Sequence, residues 1–431
     1  MENNKESLPT SQEFSNEFIK FLTSTETNKY SPNPLPSPSP ELNVNHLKLE
    51  KEKYLEKFER CNGFEFCRDV NQYQPLVMIG KGSYGEVFKA RDQNDPNVIV
   101  AIKKMITLRE EEGFPVTSLR EVRILKQLNH DNVIKLIEVC HTKACKENKY
   151  RSTFFLVFEF CEHDLAGLIA NKEIKFELAD IKQFMKQLFD GLFYIHLNKI
   201  LHRDLKSSNI LVTKTGIVKI ADFGLSRAFS IPTIDKPNNY TNGVVTLWYR
   251  PPELLLGERN YGPAIDMWGA GCIMAEFFTR FPVMQGSSEK SQLMLISSLC
   301  GSITPEVWPN VVNLDVYKKI ILPKHNARKV QTYFIHHIPS SLGCDLIDNL
   351  LMLDPEKRYD ADTALNHDFF WKDPMPSDLS KVMSQIKNNC HEYIIFQKRK
   401  FQNNQQIAKR AKPIGVINND ASTSGFHDFI Y

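Results

Sequence analysis

Apolar and polar positions alternate along this chain in two successive rhythms. From Tyr73 the apolar residues come in short β-rich runs, QPLVMIG, GEVFKA and VIVAIKKM, separated by Gly, Asp, Asn and Pro. Such runs closed by turn residues predict an antiparallel sheet. After FFLVFEF the spacing lengthens to three and four residues, as in LADIKQFMKQLFDGLFYIH and DMWGAGCIMAEFF, which predicts helices. Strands first and helices afterwards predict an α+β protein in two lobes, 73–160 rich in β-structure and 161–371 helical.

Both ends depart from this pattern. Residues 1–45 are rich in Ser, Pro and Asn, and YSPNPLPSPSPELN places Pro at nearly every second position. That composition predicts a disordered, partly extended tail. Within 46–72, HLKLEKEKYLEKFER predicts a short charged helix leading into the first strand. The periodic pattern ends near HDFFWKDPMP, leaving 372–431 as a polar extension with basic clusters at Lys398–Lys400 and Lys409–Lys412.

Composition narrows the class. With 42% hydrophobic and 24% charged residues, the chain can bury a sizeable core. A net charge of +3 gives no global field favouring nucleic acid or membrane. No apolar run approaches the roughly 18 residues of a membrane span, and MENNKESLPT has neither the basic start nor the apolar stretch of a signal peptide. The nine cysteines are odd in number and form no C-x-x-C pair. That argues against a disulfide framework or zinc ribbon and favours a reducing compartment.

Several short stretches carry candidate chemistry. In FPVTSLREVRIL, Ser118 and Glu121 have capping-box spacing. Glu121 also shares a helical face with Ile124, Leu125 and Leu128, so it either caps the helix or points inward toward a cation. IGKGSYGEV carries Gly80, Gly82 and Gly85, which let a hairpin bring its backbone close to phosphates. A plain glycine-rich hairpin is the alternative. A dinucleotide fingerprint would enter a helix, whereas EVFKA continues as a strand. A Walker loop would have Gly-Lys followed by Ser or Thr, whereas Lys81 is followed by Gly82.

Lys103, in VAIKK, would alone be read as a strand-end lysine reaching solvent. Between a phosphate loop and the helix of Glu121, it becomes a phosphate clamp held by that carboxylate. ILHRDLKSSNIL places Asp204 and Asn209 five apart with Lys206 between them, and KIADFGLSR adds Asp222 after a short apolar strand. Asp222 and Asn209 are hard oxygen ligands suited to Mg²⁺. Asp204 remains to orient a substrate hydroxyl and accept its proton.

Taken in order, these motifs resemble those of eukaryotic protein kinases over about residues 73–371. PPE at 251–253 stands where that family usually has A-P-E, and the resemblance implies that Glu253 pairs with Arg358. FPVTSLRE resembles the cyclin-binding helix of the cyclin-dependent kinases, as does YTNGVVTLWYRPPELLLGERNYGPAIDMWGAGCIMAE. FCEHDLAGL, CGSITPEVWPN, LNHDFFWKDPMPSDL and CNGFEFCRDVNQYQ resemble the transcription-elongation branch of that family, from which Val116, Ser118 and Gly243 depart.

The resemblance implies a bilobal kinase fold with ATP between the lobes. Ile79, Val87, Ala101 and Leu211 would sandwich adenine. The backbones of Glu159 and Cys161 would read its edge, and Asp164 would reach the ribose. The loop of Gly80, Lys81, Gly82, Ser83, Tyr84, Gly85 and Glu86 would cover the phosphates. Lys103, fixed by Glu121, would hold them, with Asp222 and Asn209 on Mg²⁺, Lys206 near the γ-phosphate and Thr246 buttressing Asp204. Arg120, Arg203 and Arg227 would gather around a phosphate on Thr241. Leu119 and Val122, in a row with Arg123 and Lys126, would form the cyclin-docking face. The partner implied is a cyclin of the T type. The substrates are Ser-Pro sites, above all in the RNA polymerase II C-terminal domain and elongation factors, and the location is the nucleus. Ser31-Pro32, Ser37-Pro38 and Ser39-Pro40 match that preference within the chain itself. Tyr84 is a candidate inhibitory phosphosite, and KRKFQNNQQIAKRAK is either a nuclear import signal or a solvated basic tail. Two alternatives stand beside this: another cyclin-dependent kinase of transcription or the cell cycle, and a non-catalytic kinase-like scaffold, against which the presence of Lys103, Asp204, Asn209 and Asp222 counts.

Overall fold

The structure, a computed structural model, describes residues 67–82, 85–105, 116–142, 153–230, 238–386, 389–397 and 400. The Ser-Pro tail, the segment 46–60 where a charged helix was expected, Ser83, Tyr84 and most of the basic C-terminal stretch lie outside the described residues.

The first lobe is built on a six-stranded sheet. Its strands are β1 (Arg68–Asp69), β2 (Tyr73–Gly82), β3 (Gly85–Asp92), β4 (Ile99–Met105), β5 (Leu136–His141) and β6 (Phe154–Glu159), in spatial order β1-β5-β6-β4-β3-β2. The four other pairings are antiparallel as predicted, but β1 runs parallel to β5. The alternation along β4 sorts its side chains by face. Val100 and Ile102 join Tyr73, Ala90, Cys140 and Val157 in a small outer core, while Ala101 and Lys103 face the cleft between lobes.

The one helix described in this lobe, α1 (Val116–Gln127), begins two residues before Ser118. Ser118 is therefore inside the helix rather than at its N-cap, and Glu121 is free of the capping role. Glu121, Ile124, Leu125 and Leu128 are all buried along one face. The apolar arc extends further than the docking-face expectation allowed. Val122 is 0% exposed and belongs to the main core, and Leu119 is 7% exposed. In the isolated chain the outward edge of α1 is set by half-buried Arg123 and exposed Lys126 instead.

The second lobe is helical. Two short strands, β7 (His163–Asp164) and β8 (Ile200–Leu201), flank α2 (Leu165–Ala170) and the long α3 (Leu178–Leu197). β9 (Ile210–Val212), β10 (Val218–Ile220) and β11 (Arg227–Ala228) frame the cleft floor, followed by α4 (Pro252–Leu255) and α5 (Ala264–Thr279). Nearly every residue of α5 is buried, Asp266 and Glu276 among them. A helix apolar all round belongs at the centre of its lobe, so its two carboxylates serve as internal anchors. α6 (Glu289–Cys300), α7 (Val330–Phe334), α8 (Ser341–Leu350) and α9 (Ala361–Leu365) complete the lobe. Among the described residues no helix is long and apolar enough to cross a membrane.

The extension beyond Trp371 is more than a polar appendage. Ser377 donates to Asp180 at the start of α3, and α10 (Ser380–Ser384) buries Val382 and Met383. Cys390 then docks on β7, its N–H donating to His163 Nδ1 at 3.0 Å and its carbonyl accepting from the Asp164 N–H at 3.0 Å. The apolar residues Leu379, Val382, Met383, Ile394 and Ile395 were the signal for this within an otherwise polar stretch.

The expected pair of Glu253 and Arg358 forms as a bidentate contact at 2.6 and 3.0 Å, with side chains only 1% and 0% exposed. Arg358 also donates to the carbonyls of Met352 and Ala264, knitting α4, α5 and the loop after α8 together. Removing one partner strands a buried charge. Arg358→Met should therefore lower the unfolding free energy by about 3–5 kcal/mol, read as a lower midpoint in urea denaturation.

Candidate active site

The cleft between lobes is a cavity of about 320 Å³. Its wall toward the sheet is apolar, with Ile79, Val87, Ala101 and Phe158, and Leu211 and Ala221 face them from below. β2 and β3 meet as a hairpin at Gly82 and Gly85. Gly85 has φ 156°, and a Cβ there would strike the backbone carbonyl of Lys104. This is the one loop position where the close approach itself requires glycine.

At the inner end three elements converge on one cation. Lys103 Nζ lies 2.9 and 3.0 Å from the two carboxylate oxygens of Glu121 and 2.9 Å from Asp222 Oδ1. Burial lowers the pKa of Lys103, but Asp222 and Glu121 outweigh it and hold the ammonium above its ordinary pKa. Burial raises Glu121, with Lys103 pulling against it. For Asp222 burial also acts upward, yet Lys103 prevails and the carboxyl sits below its usual range. Asp222 has left-handed backbone, φ 62°, which turns Phe223 into the core against His202, ring centroids 5.1 Å apart.

The loop below presents Asp204 held from both sides. Its Oδ1 accepts from the Thr246 N–H at 3.0 Å and the Thr246 hydroxyl at 2.8 Å. Its Oδ2 accepts from Lys206 Nζ at 2.9 Å and Asn209 Nδ2 at 3.1 Å. Lys206 also donates to Thr246 Oγ1 at 3.1 Å, and Asn209 to the Asp204 carbonyl at 2.8 Å. The loop hangs from α5: Asp266 accepts from the N–H groups of His202 and Arg203, both at 2.9 Å. Asp266 was not singled out in the sequence, although an acid inside an apolar helix was the available signal.

Ile79, Gly80, Lys81, Gly82, Gly85, Val87, Ala101, Glu159, Cys161, Asp164 and Leu211 line the cleft together with Lys103, Glu121, Lys206, Asn209 and Asp222. Glu86 instead pairs with Lys81 at 3.1 Å on the hairpin. The C-terminal segment supplies residues the sequence did not suggest. His391, Glu392 and Tyr393 line the same cavity. The Glu392 N–H donates to Asp164 Oδ2 at 2.8 Å, while Asp164 Oδ1 caps α2 at the Gly167 N–H. Tyr393 donates to Met78 Sδ at 3.2 Å, spanning the two lobes. His391 is 5% exposed, and its Nε2 has no hydrogen-bond partner.

The three predicted arginines also come together. Arg203 donates to the Leu225 carbonyl at 2.7 Å and to Tyr261 Oη at 3.1 Å, and Tyr261 donates to the Thr241 carbonyl at 2.6 Å. Arg227 stacks on Tyr240, 4.7 Å from its ring centre. Burial first, then the charges of Arg203 and Arg227, depress the pKa of Arg120.

The donor set suits a metal-bound nucleotide. An apolar slot leads to an ammonium, an amide and a carboxylate. Among the described residues no group of three His, Cys, Asp or Glu side chains could hold a metal on its own. An ion between Asp222 and Asn209 would therefore complete its shell with phosphate oxygens and water.

A sheet lobe over a helical lobe, with a lysine–glutamate–aspartate triad above an H-R-D loop, defines a protein kinase, and the sequence matches the protein kinase domain family across residues 73–370. The chain belongs to the cyclin-dependent kinases of that family and is an ATP-dependent Ser/Thr protein kinase that works with a divalent metal. It is 56% identical over 335 residues to cyclin-dependent kinase 9 of Homo sapiens, covering 78% of this chain and 90% of that one. With cyclin-dependent kinase 9 of Danio rerio it shares 53% over 375 residues, 86% of this chain and 97% of that one. A chain in the crystal structure of the yeast RNA Pol II CTD kinase CTDK-1 complex superposes with a TM-score of 0.64 at 38% identity, covering 73% of this chain and 97% of that one.

His391, Glu392 and Tyr393 make the C-terminal segment one wall of the cleft. His391→Ala removes a ring from that wall and should raise the KM for ATP about two- to tenfold through lost contact area, with the peptide KM unchanged in steady-state kinetics.

Proposed function

We propose that this chain is the catalytic subunit of a nuclear, cyclin-bound kinase that transfers the γ-phosphate of ATP to Ser-Pro sites, those of the RNA polymerase II C-terminal domain and elongation factors foremost. The observation that carries the proline preference is Val245. It has φ 69°, costly for a β-branched residue, and its carbonyl accepts from Arg250 Nε at 3.1 Å and Nη2 at 3.0 Å. With that acceptor occupied, an ordinary residue after the target serine would leave its N–H unsatisfied. Proline has no N–H to strand. The name of the structural neighbour, an RNA Pol II CTD kinase, favours the polymerase domain as substrate, and that of the relatives, cyclin-dependent kinase 9, favours a cyclin partner.

Each residue then has a role. Ile79, Val87, Ala101 and Leu211 hold the adenine, and the backbones of Glu159 and Cys161 read its edge. Lys103, fixed by Glu121, orients the α- and β-phosphates. Asp222 and Asn209 would hold Mg²⁺, which would supply neutralising charge to the phosphates. Asp204, with both carboxylate oxygens directed by donors, accepts the proton of the substrate hydroxyl. Lys206, beside Asp204, faces the phosphoryl group in transit. A cyclin, T-type by resemblance, bears on α1 along the edge of Arg123 and Lys126. A phosphate on exposed Thr241 neutralises Arg120, Arg203 and Arg227 and orders the segment between Asp222 and Glu253.

The purified cyclin complex should phosphorylate a Ser-Pro repeat peptide and discriminate against its Ser-Ala counterpart. Asp204→Asn should lower kcat by about 10²–10⁴-fold; equal rates on the two peptides would remove the proline-directed assignment. Thr241→Ala, with cyclin present, should show reduced kcat/KM in the same assay, and full activity would remove the phosphate's role.

A further inference from the structure

Beneath the catalytic loop lies a buried polar cluster that the mechanism above does not use. Ser207, three residues after Asp204, directs its hydroxyl away from the cleft into the helical lobe. Its Oγ is 3.0 Å from Glu276 Oε1 and 3.1 Å from Tyr249 Oη, and Tyr249 donates to Glu276 Oε2 at 2.6 Å. All three residues are buried. They come from three parts of the chain: the catalytic loop, the substrate segment and the central helix α5. A carboxylate accepting from two hydroxyls in a dry site makes charge-assisted bonds, and losing either donor leaves the oxygen it served undersatisfied.

We propose that Ser207 and Glu276 are positioning residues for phosphotransfer, a latch that fixes the substrate segment against the catalytic loop and so sets the distance between the substrate hydroxyl and Asp204. Tyr249 is the part of the latch on the substrate side. Its neighbour Arg250 closes the Val245 carbonyl, and Thr246, three residues earlier, buttresses Asp204. The segment is therefore tied to the loop twice. On the open face Thr246 meets Asp204 and Lys206, and on the buried face Tyr249 meets Ser207 through Glu276. The hydroxyl of Ser207 brings the catalytic loop itself into this second tie. None of Ser207, Tyr249 and Glu276 lines the nucleotide cavity, so the latch acts on peptide handling. Positioning of this kind is felt in rate because small displacements of reacting groups are costly.

The latch is also sensitive to protonation. Burial pushes Glu276 up to about 7, against the hydrogen bonds from Tyr249 and Ser207 that lower it, and Glu392 of the C-terminal segment pushes it further up. Cys272, one turn earlier on α5, faces it as a neutral thiol held up by burial. Above that pH the carboxylate accepts from both hydroxyls. Below it the carboxyl carries a proton and one hydroxyl must turn. Deleting the Ser207 hydroxyl removes a bond that favours the charged form, so protonation then begins at higher pH.

This inference rests on the Ser-Pro reading for its substrate, and the test separates the two. The cyclin complex is assayed as wild type, Ser207→Ala, Tyr249→Phe, the double variant and Glu276→Gln, each checked for an unchanged melting profile. If wild type phosphorylates a substrate other than the Ser-Pro peptide, the Ser-Pro reading fails and the same comparison runs on that substrate. Ser207→Ala should lower peptide kcat/KM about tenfold while the KM for ATP stays constant, and the effects of Ser207→Ala and Tyr249→Phe should be less than additive. The acid limb of peptide kcat/KM should move to higher pH in Ser207→Ala and vanish in Glu276→Gln. Unchanged peptide kinetics in Ser207→Ala, equal losses in ATP and peptide KM, or an unmoved pH profile would overturn the proposal.

Discussion

The site depends on one cluster of buried charge. Lys103, Glu121 and Asp222 come from a strand, a helix and the start of the activation segment, and no two of them are near in sequence. Each would be costly to bury alone, and none can leave without stranding the others. Their mutual satisfaction fixes the roll of α1, the depth of β4 and the left-handed turn at Asp222 together. Under the proposed mechanism, alignment of the nucleotide would depend on α1 as much as on the phosphate loop, and a partner pressing on that helix would govern catalysis.

The lower half of the site hangs from a second device. α5 carries two acids inside an otherwise apolar helix, and each is spent on the catalytic loop. Asp266 holds the backbone at His202 and Arg203, and Glu276 takes the hydroxyls of Ser207 and Tyr249. The rigid centre of the helical lobe thereby dictates where Asp204 sits. The triad and the anchored loop are also joined directly, the Ala221 N–H donating to the Asn209 carbonyl at 2.9 Å and Phe223 packing on His202, and the C-terminal segment bridges the lobes from the side through Tyr393 and Met78.

Much of this was legible from the residues themselves. The strand–helix change of period located the lobes because each rhythm reports which face is buried. The inward turn of Glu121 was readable because its face also holds Ile124, Leu125 and Leu128, and a buried acid requires a cation. Three features were less legible, each for a physical reason. The helix start before Ser118 depends on backbone geometry that capping-box spacing does not encode. The burial of Val122 and Leu119 follows from how broad an arc of α1 the fold covers, which a row of four residues does not reveal. The docking of His391, Glu392 and Tyr393 on the cleft depends on tertiary contacts across more than 200 positions, for which a polar stretch with a few apolar residues gives only a faint local sign. Asp266 and Ser207 were hidden differently, since their roles are to hold other parts of the chain and no spacing rule announces that.

The most direct measurement of the central claim is steady-state phosphotransfer by Glu121→Gln in the cyclin-bound kinase, alongside its melting temperature. The account predicts a folded enzyme whose KM for ATP rises and whose kcat falls, because Lys103 loses its charged partner while the cleft remains. Wild-type values of both constants in a folded variant would contradict it.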